Sequence, residues 1–134
     1  MNRPVHFEIH AKDQDAIQKF YEEVFGWKFQ DMGAQMGGYR LITTGKDMPG
    51  DQWKGIDGGM NPRQGESPKG GEPVNAFVCT VSVENIDETL AKIEKAGGTV
   101  ATDKMDVPGV GLLAYRKDPD GNLFGVLQPA PRVK

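Results

Sequence analysis

The sequence predicts an α+β fold in which one βαβββ module occurs twice. Residues 4–27 and 76–99 follow the same order of strand, capped helix, glycine and strand. At an offset of 72, Asp13 falls on Asn85, Tyr21 on Ile93 and Gly26 on Gly98. The 18 glycines and 9 prolines among 134 residues supply the tight turns that many short strands need. Module one spans about 4–61, a polar linker 62–73 follows, and module two spans about 74–129.

Val5–Ala11 is the first strand, and its two-residue period puts Phe7, Ile9 and Ala11 on one face and His6, Glu8 and His10 on the other. Asp13 caps a helix whose stripe is Ala16, Ile17, Phe20, Tyr21, Val24 and Phe25, with Gly26 as its stop. Strands follow at Trp27–Met32, Gly38–Thr44 and Gly55–Asn61; glycine in the last of these implies close backbone packing. Trp27 is expected to pack on the first helix. The linker is rich in Gly, Pro and charge and carries no periodicity.

Module two opens with a strand over Val74–Val83. Asn85 with Glu88 begins a second helix, whose buried stripe is Ile86, Leu90, Ile93 and Ala96 and whose end is Gly97-Gly98. One strand over Thr99–Val107 turns at Pro108-Gly109 into Leu112–Lys117. Asp118-Pro-Asp-Gly121 has the chemistry of a hairpin turn and leads to a last strand, Leu123–Gln128.

Composition excludes several function classes. A net charge of −3 with mixed signs leaves no electrostatic footprint for nucleic acid or an anionic membrane. Apolar runs are far shorter than the ~20 residues a membrane span requires. Residues 1–15 lack a secretory apolar region, so a cytoplasmic protein is expected. The single cysteine, Cys79, sits in an apolar strand pattern and reads as a buried, inert thiol. Gly37-Gly38, Gly58-Gly59 and Gly70-Gly71 lack the lysine and helix of a phosphate loop and read as turns.

Three stretches carry a resemblance to a known family: His6-Phe-Glu-Ile9 with Phe20-Tyr21-Glu-Glu-Val-Phe-Gly-Trp27; Val83-Glu-Asn-Ile-Asp-Glu-Thr-Leu90 with Ala96-Gly-Gly98; and Lys117-Asp-Pro-Asp-Gly-Asn-Leu-Phe124. They resemble the vicinal oxygen chelate superfamily of glyoxalase I, bleomycin-resistance proteins and extradiol dioxygenases, in its single-domain glyoxalase-like branch. The resemblance covers nearly the whole chain outside residues 61–73. It implies two βαβββ modules forming a half-open mixed β-barrel around a pocket, in a homodimer. In metal-dependent members it implies a divalent ion held by the first and last strands of each module.

Carried over residue by residue, that ligand set is incomplete here. His6 matches the first-strand ligand of module one, and Val78, which has no donor, falls on its counterpart in module two. Gly125 is the closest match to the last-strand glutamate of module two, and module one offers either Asp57 or Gly58. A catalytic ion wants about three protein ligands and an open position, so no cofactor is expected, and an improvised ion at His6–Glu8 is the one metal alternative. His6, Glu8 and His10 share a strand face, but alternate side chains stand about 6.5–7 Å apart, too far for all three to share one ion.

The candidate site is therefore His6 and Glu8 as proton-transfer or ligand-binding groups, with Trp53, Asp57 and Tyr115 as further ligand contacts. Glu8 beside an imidazole would suit a general base. His6 and Glu8 could equally be a hydrogen-bonded polar spot, and His10 near the strand end reads as solvent-exposed. Tyr115 could face the pocket or the outside. The leading function is a metal-independent small-molecule binder of a metabolite or drug. The alternative is a lyase or isomerase acting on an α-oxygenated carbonyl compound through Glu8 and His6. Extradiol chemistry is disfavoured, since its iron needs two histidines and a carboxylate and the two histidines lie on one strand.

Overall fold

The computed structural model of the chain describes residues 3–131. They form an α+β fold of two mixed sheets and two α-helices, in two compact units that divide between Ser67 and Pro68. That division falls within the linker read from composition. Among the described residues no helix is long and apolar enough to cross a membrane.

In the first unit, β1 is Phe7–Ala11, α1 is Gln14–Phe25, β2 is Lys28–Asp31, β3 is Arg40–Thr43 and β4 is Gly58–Pro62. The sheet order is β1-β4-β3-β2, with β1 parallel to β4 and the other pairs antiparallel. Asp13 caps α1 by accepting from Ala16 N at 3.1 Å, and Gly26 closes it at φ +73° with its N–H on Glu22 O. Ile17, Phe20, Tyr21 and Val24 are buried with Ala11, Ile42 and Met60 of the sheet, whereas Ala16 of the expected stripe is exposed. Arg40 ties β3 to this helix, donating at 2.9 Å to both Gln18 Oε1 and Asp15 Oδ1. Trp27 stacks on Tyr21 (centroids 5.0 Å apart, 6° between planes) and lies 5.1 Å from Phe25, as its expected packing on the helix requires.

In the second unit, β5 is Thr80–Ser82, α2 is Ile86–Lys95, β6 is Thr99–Val100, β7 is Met105–Val107, β8 is Gly111–Lys117 and β9 is Leu123–Pro129. The order is β5-β9-β8-β6, with β7 also on β8; β5 runs parallel to β9 and the rest are antiparallel. Asn85 caps α2 through Glu88 N, and Gln128 Oε1 on β9 accepts from Ile86 N at 3.0 Å, docking the helix start onto the sheet. Ile86 and Ile93 are buried with Ala114, Phe124 and Val126. Asp118 is buried and accepts from Asp120 N, Asn122 N and Asn122 Nδ2, while Gly121 sits at φ +92°, so the Asp-Pro-Asp-Gly turn forms as its chemistry demands.

Three expectations are corrected. The strand expected over Val74–Val83 is only Thr80–Ser82, because this edge strand has one neighbour, β9, and residues 74–79 pair with it only through Gly125 N to Cys79 O. Cys79 therefore lies just outside the strand and is exposed rather than buried. The strand expected over Thr99–Val107 is broken: Ala101 N and Thr102 N both donate to Tyr115 O, a two-against-one bulge, and Tyr115 N donates to Thr102 Oγ1. The second unit is therefore βαββββ rather than βαβββ.

Candidate functional site

Each sheet has one face covered by its helix and one face away from it. Residues opposite each other in register share a face. In the first sheet, Glu8 pairs with Gly59 and Gly59 with Leu41. In the second, Thr80 pairs with Gly125 and Gly125 with Tyr115. The offset of 72 that relates the modules carries Glu8 onto Thr80. Gly59 is thus the register counterpart of Gly125.

His6 stands immediately before β1, not within it, yet its side chain turns to the Glu8 face. His6 Nε2 lies 3.6 Å from Glu8 Oε2, an ion-pair separation rather than a hydrogen bond. Both side chains are open to solvent, at 44% and 45% exposure. The Tyr39 hydroxyl reaches the same His6 Nε2 at 3.4 Å. Tyr39 was not among the expected residues. Its signal in the sequence was the Gly37-Gly38-Tyr39 step into β3: both glycines adopt positive φ, and Met32 N holds Tyr39 O at 3.0 Å.

The other expected residues are placed separately. Asp57 is exposed, and its carboxylate accepts from Thr44 N at 2.8 Å and Thr44 Oγ1 at 3.1 Å, pinning the ends of the loop between β3 and β4. Trp53 lies in that loop, 48% exposed. Tyr115 turns to the Thr80–Gly125 face, since Ala114 beside it is buried on the helix side. His10 is exposed, as expected. Cys79, though exposed, has its thiol pKa pushed up by partial burial, the opposite direction to the one that activates a nucleophile. A groove lined by Leu90, Ile93, Val100 and Arg116 contains none of the expected residues.

The donors do not fit the divalent ion that the resemblance implies. Among the described residues no three His, Cys, Asp or Glu side chains gather to hold a metal. At Gly125 a Cβ would stand 2.8 Å from Thr80 Oγ1 and 3.1 Å from Tyr115 Cε1, so no carboxylate can leave that backbone without displacing them. At Gly59 a Cβ would collide with the Tyr39 hydroxyl and ring.

The model of the Glyoxalase/Bleomycin resistance protein/Dioxygenase superfamily matches residues 3–126. The chain belongs to that superfamily. It is 34% identical over 126 residues to the Mycobacterium tuberculosis protein named "Putative glyoxylase CFP32", covering 93% of this chain and 43% of that one. It is 30% identical over 128 residues to the "Anthracycline biosynthesis protein DnrV" of Streptomyces peucetius, covering 92% and 46%. The chain thus spans less than half the length of these curated relatives. Among solved structures, the fosfomycin resistance protein FosX of Listeria monocytogenes superposes with a TM-score of 0.70 at 18% identity, covering 97% of this chain and 93% of that one. A variant of that FosX has been solved with Mn(II) and 1S,2S-dihydroxypropylphosphonic acid. At this identity the likeness is one of fold.

Proposed function

We propose that this superfamily member binds a small organic molecule on the open face of its first sheet, through His6 and Glu8, with a metal site that has degenerated. The observation that carries the reading is the coincidence of a linked polar group at His6, Glu8 and Tyr39 with donor-free residues at Val78, Gly59 and Gly125. The name of the Streptomyces relative supports a planar, hydroxylated aromatic ligand. Assembly as a homodimer belongs to the same reading and is read by sedimentation velocity. The test is equilibrium dialysis of 1,4-dihydroxyanthraquinone against the chain and against His6→Ala and Glu8→Gln. Weakening of about fivefold or more in each variant is expected, the size of one lost hydrogen bond. Unchanged affinity in both variants contradicts the assignment.

A second reading rests on the 3.6 Å approach of His6 Nε2 to Glu8 Oε2. Such a pair can take a proton from the carbon beside a carbonyl and return it at the neighbouring position, an isomerase or lyase chemistry. Deuterium incorporation from D2O into hydroxyacetone, lost in Glu8→Gln, supports this reading; incorporation at the same rate in that variant excludes it.

A further inference from the structure

We infer that Tyr39 both orients His6 and contributes its own hydroxyl to this site, and that Gly59 is a glycine because any side chain there would block Tyr39 from His6. Strand order sets the distance to be crossed. Tyr39 enters β3, His6 precedes β1, and β4 runs between those two strands. A side chain starting beside β3 must cross the whole width of β4 to touch one beside β1. It can do so only if β4 presents no side chain at the crossing point. Gly59 is that point, since a Cβ built there would run into the Tyr39 hydroxyl, Cζ and Cε1. The phenol therefore lies along bare backbone, and its hydroxyl arrives 3.4 Å from His6 Nε2.

The consequences are chemical. With Nε2 carrying the proton, it faces two acceptors, the Glu8 carboxylate and the Tyr39 oxygen. A phenol that accepts from His6 turns its own proton outward. The open face then offers a donor at Tyr39 beside an acceptor at Glu8, above a flat floor of tyrosine ring and glycine backbone. The ligand class complementary to that arrangement carries a hydroxyl next to a carbonyl oxygen on a planar skeleton, as in hydroxyquinones and aromatic hydroxyketones. This assignment of ligand class rests on the binding function proposed above, whereas the Tyr39–Gly59–His6 linkage does not.

Two measurements separate them. The first follows the ring nitrogens of His6 by NMR in protein labelled with 15N, at about pH 8, where an ordinary imidazole is neutral. Tyr39→Phe and Gly59→Ala should each shift the His6 ring signals, the double variant should shift them no further, and the His10 signals should stay in place. His6 signals unmoved by Tyr39→Phe, or additive effects of the two substitutions, overturn the linkage. If Gly59→Ala does not fold, Tyr39→Phe decides it alone. The second is dialysis of 1,4-dihydroxyanthraquinone, which Tyr39→Phe should weaken about fivefold. Equal affinity in that variant, or no binding by the unaltered chain, overturns the ligand class while the NMR result still decides the linkage.

Discussion

Gly125 lies directly opposite Thr80 in the parallel pair of β5 and β9, and a Cβ added to it would stand 2.8 Å from the threonine hydroxyl. Gly125 is also the closest match in the sequence to the last-strand glutamate that the family resemblance implies. A side chain there would have to displace the Thr80 hydroxyl and press on the Tyr115 ring. Restoring the carboxylate should therefore damage the sheet before it could bind anything. Gly125→Glu is expected to lower stability by about 1–3 kcal/mol, the usual cost of overpacking, read by urea denaturation. An undiminished unfolding midpoint, together with stoichiometric Mn(II) uptake, would show that the space is open after all.

Asp118 anchors the turn between β8 and β9, accepting from Asp120 N, Asn122 N and Asn122 Nδ2 at 2.9–3.0 Å while almost fully buried. Asp118→Ala strips three donors of their acceptor in a place water reaches poorly. A loss of about 2–4 kcal/mol is expected from unsatisfied partners of this kind, with the midpoint of thermal unfolding as the measure. A loss below about 0.5 kcal/mol, typical of an inert surface change, would mean that the turn holds itself.

Cys79 supplies a pH-dependent prediction. Its thiol is exposed, and partial burial raises its pKa. The chain's single cysteine should react with a thiol reagent to one equivalent without denaturant. The rate should climb with pH along a curve displaced upward from that of the unfolded chain. A group whose pKa is raised on folding adds stability below its unfolded pKa and loses it as pH rises through its folded value. Any contribution from Cys79 is therefore present at neutral pH and fades in alkali. A midpoint below the unfolded one would reverse the sign and make the thiol an activated nucleophile.

Much of the fold was legible because its signals are local. Asp13 and Asn85 cap their helices through their own side chains, Gly26 takes the left-handed turn its position requires, and Asp118 organises the next four residues. The misplaced strands lay where pairing is decided at long range. Nothing in Val74–Val83 announces that only Thr80–Ser82 of that stretch find a ladder on β9, nor does Thr102 reveal the bulge it forms opposite Tyr115. The site divided along the same line. The nearness of His6 to Glu8 was legible because a two-residue period puts them on one face. Tyr39 was missed because its partner is 33 residues away and the link runs over a strand whose relevant residue, Gly59, has no side chain to read.

In the function proposed, the open face around His6 binds its ligand without a divalent ion. The most direct measurement is dialysis of chelator-treated protein against 1,4-dihydroxyanthraquinone, with Mn(II) absent and then present, ion carried by the dye alone being subtracted. Binding that is saturable without Mn(II), unchanged in affinity when Mn(II) is added, and weakened about fivefold by His6→Ala is the result expected. Binding that arises only once Mn(II) is supplied, at one ion per chain, would contradict it.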